Sequence, residues 1–441
     1  MKLAVDFTKP VRPIGRQNGT NNGPLMTFSD RTAEFREMGV ELVRFHETHT
    51  FNTKCIELPF IFRDFDADEN DENNYYFAET DAVIRAALDA GCEVIYRLGM
   101  GTEGTIPKIF TSVPKDYQKW ANIAIHVMMH YNEGWANGHF WNVRKWEIWN
   151  EPDLQGYWPG PRSAYIDFYC TVAPLLKAHD EKNQIGSGGF STILPPAPPK
   201  EGSPKEVVDD YNDRCAMVPN FLERVSRENI PMDFFAFHGY CRNGEIGRRR
   251  IRYAMKLFRE YGFEGKAETY NTESGTMFLH RDAAGHWDYT QMYDFFTAVT
   301  YINYMIAMQR LGVNGACYYD ADERNKFCGL YDFDGSRKNH FYSLKTWKYL
   351  RECGTEAESS EAPLPVSICA ATGNGKKRIL VCTEAEAKRL TLSITGVKKG
   401  APYSILLFDE THPITPWKKG VFNGETLVFT LPRQSAAIVE F

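Results

Sequence analysis

Residues Lys145–Asp153 read Lys-Trp-Glu-Ile-Trp-Asn-Glu-Pro-Asp. The first five suit a short buried strand, yet the run ends on Asn150 and Glu151 where ordinary turn residues would be expected. A glutamate held beside aromatic side chains and away from water is expected to have a raised pKa. That is what a general acid needs near neutral pH. The bland alternative is a solvated Glu at the start of a loop. Fold and function both turn on whether the chain repeats this design, a short apolar strand with polar residues at its C-terminal end.

The design recurs. Val40–Phe45, Glu93–Leu98, Lys145–Trp149, Gln184–Gly189, Asp233–His238, Ala267–Glu273 and Gly315–Asp320 have strand character, each followed by polar or Gly residues. Helical spacing lies between them, at Ser29–Met38, Thr80–Ala90, Asp116–Tyr131, Ala164–His179, Val218–Glu228, Gly247–Tyr261 and Tyr289–Leu311. With an N-terminal strand within Leu3–Ile14, the pattern predicts an α/β fold, a (β/α)8 TIM barrel of about eight units. A doubly wound open sheet is the alternative, but no GxGxxG or GxxxxGK[ST] follows a strand. Beyond about residue 350 helical spacing stops, and short strands alternate with turn signals such as GNGK, VKKG and FNGE. This predicts a C-terminal β-sandwich domain. The expected division is 1–353 for the barrel and 354–441 for the sandwich, with 354–365 as linker. The N-terminal strand is free to pair with the sandwich instead.

Composition excludes several classes. The chain has 441 residues, 43% of them hydrophobic, and a net charge of −6. A basic face for nucleic acid is not expected at that charge. Asp64–Asp71 is acidic but lacks the ligand spacing and central Gly of a calcium loop. Ten Cys show no CxxC pair and no spacing with His that suits zinc. No window is long and apolar enough for a membrane span, and MKLAVDFTKP is not a signal peptide as it stands. Cytoplasmic is the default expectation. Aromatic residues reach 14%, enough for core packing and for stacking on sugars.

In a parallel barrel the C-terminal strand ends face the active site. Here they carry Arg44, His46 and His49, Arg97, Asn150 with Glu151, His238 with Tyr240, Glu273, and Tyr319 with Asp320. The two carboxylates Glu151 and Glu273 end the fourth and seventh strands. On an eight-unit count they meet across the mouth. Facing carboxylates among aromatics, with no metal motif, point to glycoside hydrolysis, which needs an acid at the leaving oxygen and a second carboxylate at the anomeric carbon. His46 and His49 are three apart, but HETH is not HExxH and no third ligand is evident, so no metal is expected. No cofactor is expected either. Arg44 and Arg97 are candidates for touching substrate or for orienting the carboxylates. Tyr319 and Asp320 compete for the sugar, and strand alternation does not choose. Trp158, in the loop after Glu151, is the stacking candidate.

WEIWNEPD resembles the acid/base motif of the large retaining glycosidase clan built on (β/α)8 barrels. With Val43-Arg-Phe-His46, Asp233-Phe-Phe-Ala-Phe-His-Gly-Tyr240, Tyr270-Asn-Thr-Glu273 and Gly329-Leu-Tyr-Asp-Phe-Asp-Gly335, the chain resembles glycoside hydrolase family 39 over about residues 10–350. That family holds β-xylosidases and α-L-iduronidases. The resemblance implies Glu151 as general acid/base, Glu273 as nucleophile and Asn150 as donor to the sugar 2-hydroxyl. It implies His46, His238 and Tyr240 around the non-reducing sugar. Glu268 precedes the same Tyr-Asn-Thr, but it falls too early in its strand to reach the mouth, so Glu273 is preferred.

A uronic acid substrate would need a cation near C5. The residue after His238 is Gly239, where the iduronidase branch carries basic residues. The expected activity is therefore that of a retaining exo-glycoside hydrolase on a neutral glycoside, β-D-xyloside first. Galactoside, arabinoside, glucoside and iduronide specificities stay open, because barrel loops vary specificity around one catalytic pair. The long segments 101–115, 190–217 and 276–288 are expected to close the mouth. A non-catalytic carbohydrate-binding protein is the alternative of another class. A lyase or aldolase would need a strand-end Schiff-base Lys or a metal cluster. The expected partner is an oligosaccharide or small glycoside. Oligomeric state is open, a homo-oligomer included.

Overall fold

The computed structural model describes residues 1–27, 29–46, 48, 55–101, 112–278, 280, 281, 285, 287, 288, 290–322 and 328–441. Eight parallel strands close into a barrel: Arg16–Asn21, Leu42–Phe45, Glu93–Leu98, Lys145–Ile148, Gln184–Gly186, Phe234–Cys241, Glu268–Thr276 and Gly315–Tyr318. The eighth strand pairs with both the seventh and the first. A helix follows each strand: Thr32–Met38, Ala78–Asp89, Tyr117–Asn132, Arg162–His179, Lys205–Arg227, Gly244–Glu260, Phe295–Leu311 and Asn339–Arg351. This is the (β/α)8 barrel.

Side-chain alternation sorts the strands into two cores. Leu42, Ile95, Phe234, Ala236, Tyr270 and Cys317 pack together as a separate core cluster. Their neighbours in the same strands, among them Val43, Val94, Phe235 and Ala316, join the large core that includes the helices. In the second strand Arg44 follows Leu42 on the same side, so the polar residues begin one layer above the apolar one.

Of the two places expected for the strand within Leu3–Ile14, the structure takes the C-terminal sheet and not the barrel. Lys2–Pro13 belongs to the C-terminal sheet, antiparallel to Thr355–Ser359 and parallel to Lys388–Thr395. Its place in the barrel is taken by Arg16–Asn21, a polar strand without a β-branched aliphatic residue. That strand is buried because its amides find backbone partners. Gln17 Nε2 donates to the Val313 carbonyl at 2.7 Å and Asn18 Nδ2 to the Gly39 carbonyl at 2.9 Å. Gly19 is required by space, since a Cβ there would sit 2.7 Å from the Ala316 carbonyl oxygen.

Thr355–Ser359, expected as linker, is likewise a strand of this sheet. The sandwich is one continuous nine-stranded sheet, curled until its edge strands face each other. Trp417 and Phe429, from opposite edges, have rings 6.2 Å apart. One face encloses its own core, with Ile368, Ala370, Ile379, Val381, Ala437 and Val439. The alternate residues Cys369, Ala371, Leu380, Cys382, Ala436 and Ile438 join the barrel core. Helix Phe295–Leu311 lies between barrel and sheet and buries nearly every side chain, as a helix apolar all round must. Each large side chain it buries contributes about 2–3 kcal/mol. Among the described residues, no helix is long and apolar enough to cross a membrane.

Candidate active site

In the fourth strand Lys145 and Glu147 bond to residues of other barrel strands, while Trp146 and Ile148 pack in the core that includes the helices. The chain then leaves regular geometry. Trp149 has φ +80° and Glu151 φ +42°, a region in which bulky residues persist only when their surroundings fix them. The Trp149 amide donates to the Leu98 carbonyl at 2.9 Å and its indole Nε1 to the Tyr157 carbonyl at 2.9 Å. The ring lies so close to Gly99 that a Cβ there would be 2.7 Å away. This break in alternation lets Asn150 and Glu151, adjacent in sequence, both join the polar cluster at the barrel mouth.

The seventh strand makes a similar adjustment. Its register with the sixth runs Phe237↔Asn271 and then His238↔Glu273, so one extra residue is accommodated near Thr272. Bulges of this kind re-aim side chains beside active sites. Without it, Thr272 and Glu273 would face opposite ways. With it, Thr272 Oγ1 donates to Glu147 Oε1 at 2.9 Å while Glu273 reaches the cavity.

Glu151 and Glu273 face each other across His238. Its Nδ1 lies 2.8 Å from Glu151 Oε1 and 3.5 Å from Glu273 Oε2. One oxygen of each carboxylate and a ring nitrogen all fall within 4.8 Å of one another. Tyr240 donates to Glu273 Oε1 at 2.5 Å, and Arg44 Nη1 lies 3.4 Å from Glu273 Oε2. Burial raises the Glu273 carboxyl above its ordinary value, and the Glu151 charge adds to this; His238, Arg44 and the Tyr240 hydrogen bond oppose it. Burial holds the His238 pKa below its ordinary value, with Arg44 adding, so the ring is neutral near pH 7, and its Nδ1 is hydrogen-bonded to Glu151.

Arg44 organises the layer beneath. It is fully buried and meets Glu147 Oε2 at 2.5 Å, Asn21 Oδ1 at 2.9 Å and Asn150 Oδ1 at 2.7 Å. Breaking such a buried pair costs about 3–5 kcal/mol, because the surviving charge stays desolvated. Asn150, its Oδ1 thus occupied, has a buried Nδ2 without a partner.

Among the described residues, two groups have ligand atoms close enough to touch one ion: Glu151, His238 and Glu273, and Asp81, His130 and His139 on the helix layer. In the first, Arg44 already places a fixed positive charge beside Glu273. In the second, Asp81 is hydrogen-bonded to His130 at 3.0 Å and lies 3.3 Å from His139.

The other expected residues divide. Tyr319 lines the cavity with Glu151, His238, Tyr240 and Glu273. His46 is buried beside it, ring centroids 6.0 Å apart. Asp320 is buried against Asn22, with Oδ2 3.4 Å from Asn22 Nδ2, so of the adjacent pair it is Tyr319 that faces the cavity. His49 lies outside the described residues, as do residues 102–111 of the expected loop 101–115 and parts of 276–288. Trp158 is corrected. It is 0% exposed, its ring 5.2 Å from Trp149 and its Nε1 bonded to the Pro161 carbonyl at 3.0 Å. The loop after Glu151 folds back into the core, so this indole has no free face to stack on a sugar. Arg97 does not orient the carboxylate pair; its Nη2 meets Glu57 Oε1 at 3.3 Å. Glu268 sits at the opposite end of the barrel, 2.8 Å from Lys145 Nζ and from the Tyr270 hydroxyl.

Sequence reasoning missed Glu147, Asn21, Asn22 and Thr272. Glu147 alone carried a signal, a charge inside an apolar strand that requires a buried partner. It also missed that residues 205–217, taken as loop, begin helix Lys205–Arg227; their face is exposed and polar.

The cavity has a volume of about 850 Å³ and extends from the glutamate pair along residues 191–197 and the helices that follow strands five and six. The family model of Glycosyl hydrolases family 39 matches residues 28–260, more than half of the chain. Over 196 residues the chain is 24% identical to a β-xylosidase of Geobacillus stearothermophilus, a match covering 41% of this chain and 33% of that protein. The chain thus spans about a third of the length of that curated relative. Among solved structures, a glucosidase from Croceicoccus marinus superposes with TM-score 0.76 at 17% identity, covering 100% of this chain and 98% of that one. A monomeric β-xylosidase from Caulobacter crescentus gives 0.69 at 18%, covering 100% and 99%. A GH39 enzyme from Xanthomonas axonopodis pv. citri gives 0.70 at 17%, covering 100% and 96%. At such identities the structural likeness speaks for the fold.

Proposed function

The chain belongs to glycosyl hydrolase family 39, and from that premise we propose that it is a retaining, exo-acting glycoside hydrolase whose first substrate is a β-D-xyloside. One observation carries the mechanism: an oxygen of Glu151 and one of Glu273 lie within 4.8 Å. Retaining enzymes hold their carboxyl groups roughly 5–5.5 Å apart, inverting enzymes roughly 6.5–9.5 Å. A gap of that size falls on the retaining side of this divide and suits direct attack. Glu273 attacks the anomeric carbon as Glu151 gives its proton to the leaving oxygen. Glu151 then takes a proton from water, which displaces Glu273 from the sugar. Arg44 and Tyr240 favour the ionised nucleophile. His238 holds Glu151 in place, and the free Nδ2 of Asn150 is available to the 2-hydroxyl. The β-xylosidase relatives favour a neutral pentose.

The test is incubation with a 2-fluoro-xylosyl fluoride, intact-mass measurement and peptide mapping. A single adduct on Glu273 is expected. An adduct on another residue, or none with xylosyl, glucosyl and galactosyl reagents alike, would remove the double-displacement reading.

A second expectation concerns pH. The Tyr240 hydrogen bond lowers the Glu273 pKa, so Tyr240→Phe should raise it and move the acid limb of kcat/KM to higher pH. The plateau should fall by roughly tenfold or more, the scale of one charge-assisted hydrogen bond. An unmoved limb would mean that it reports another group.

A further inference from the structure

We propose that the arm of the cavity beyond Glu151 is a subsite for an acidic leaving group, so that the enzyme removes a neutral sugar from an aglycone bearing a carboxylate, sulfate or phosphate. The proposal rests on the hydrolase reading and goes beyond it in naming the chemistry of the group that departs. Among the described residues, four arginines line the cavity, Arg214, Arg242, Arg249 and Arg250, against two acids, the catalytic glutamates. This excess stands in a chain whose net charge is −6.

Several buried or half-buried arginines elsewhere have carboxylate partners: Arg144 has Asp180, Arg162 has Asp210 and Asp213, Arg378 has Glu352 and Glu440, whereas Arg248 and Arg310 bond to hydroxyl and carbonyl oxygens. Arg214, Arg249 and Arg250 make no ion pair among the described residues, and the Nε atoms of Arg214 and Arg250 are buried without an acceptor. Clustered cations without counter-charges repel one another and project a positive field into the cavity they line. Guanidinium forks match planar and tetrahedral oxyanions. Such a cluster costs stability unless an anion occupies it.

Position assigns the group to the leaving side. Arg214, Arg249 and Arg250 come from the helices after strands five and six and Arg242 from the turn after strand six, alongside Leu194, Pro195 and Pro196. Tyr319, with His46 behind it, stands at the opposite side, at the ends of strands eight and two. The proton donor must face the departing oxygen, and Glu151, on strand four, adjoins the arginine arm through the bridge between Asn150 and Gly189. A charge held there sits on the aglycone and leaves the glycone neutral.

The probes are three pairs with open-chain aglycones differing only in a carboxylate for a hydroxymethyl group on the leaving side: xylobiitol and xylobionic acid, cellobiitol and cellobionic acid, lactitol and lactobionic acid. Each is titrated into the full-length Glu151→Gln protein, so that binding is read without turnover. For the pair whose glycone fits, the acid should bind roughly tenfold tighter at low salt. The gap should shrink at about 0.5 M salt. It should vanish in a triple Arg214→Ala, Arg249→Ala, Arg250→Ala variant and persist in part in the triple Lys variant. The affinity ratio is the readout, so the neutral member of each pair controls for damage to the site. No preference for the acid in any pair, or a gap that survives the triple alanine variant, overturns the proposal. So does tighter binding of 4-nitrophenyl glucuronide than of its glucoside without a gap in the disaccharide pairs, because it would place the charge on the glycone. Turnover of neutral aryl glycosides by the unmodified enzyme tests the hydrolase reading separately.

Discussion

Glu273→Gln is expected to lower kcat on an aryl xyloside by roughly 10⁵-fold, the scale of removing a nucleophile from a catalytic unit. The amide keeps the volume of the side chain but cannot form the glycosyl-enzyme. The fold should not suffer in proportion. Burial raises the Glu273 pKa, so in the native enzyme its ionisation costs stability, and that cost appears as pH rises from the ordinary carboxylate value through the raised one. Gln carries no such cost. The melting temperature of the variant, followed against pH, should match or exceed that of the native protein on the neutral side, with the advantage disappearing toward acid. Stability of this kind withheld in favour of activity is common at active sites. Glu268→Gln is the control: its carboxylate is 43% exposed and paired with Lys145 at the other end of the barrel, so turnover should change little. If Glu273→Gln kept more than a per cent or so of activity while Glu268→Gln lost it, the nucleophile would have been misassigned.

How much of this was legible before the coordinates depends on how each residue is satisfied. The strands carrying Glu151, His238 and Glu273 announce themselves because apolar burial writes a recognisable run that stops where polar groups begin. Arg16–Asn21 does not, because it is buried through amide hydrogen bonds to neighbouring backbone, and such a strand resembles a loop in composition. Trp158 shows the converse limit. A position in a loop says nothing of burial, and this loop returns its indole to the core between Trp149 and Tyr165. The facing of the carboxylates was legible only as strand ends. Alternation alone would have turned either Thr272 or Glu273 outward, and the extra residue in strand seven is a property of pairing with its neighbours.

The polar layer under the pair has a physical cost that its function explains. Arg44, Glu147, Asn21 and Thr272 occupy barrel positions that apolar side chains would fill more stably. In exchange Asn150 and Glu273 are fixed through one guanidinium, Asn150 at 2.7 Å and Glu273 at 3.4 Å, so the group proposed to meet the 2-hydroxyl and the proposed nucleophile are referenced to the same rigid point. Preorganisation of this kind lets the site stabilise charge without rearranging during the reaction.

Glu151→Ala should separate the two steps by leaving-group chemistry. For a xyloside of a poor leaving alcohol, kcat/KM should fall by about 10²–10⁴, the usual range for general acid catalysis. For a 2,4-dinitrophenyl xyloside, whose phenolate departs unprotonated, glycosylation needs no acid and kcat/KM should fall far less. Its turnover then stalls at the second step, because no base remains to activate water and the glycosyl-enzyme accumulates on Glu273. Azide needs no base and fits the space the side chain vacated. Added azide should therefore restore turnover of the activated substrate and yield a xylosyl azide of retained anomeric configuration. The basic limb of the pH profile should flatten in the same variant. Alanine also strips His238 Nδ1 of its 2.8 Å partner, a loss of about 1–3 kcal/mol in stability if no water replaces it. Glu151→Gln keeps a hydrogen-bonding group for that nitrogen in either tautomer, and so tells a folding defect from a chemical one. Equal losses on good and poor leaving groups, with no rescue by azide in either variant, would take the acid/base role away from Glu151.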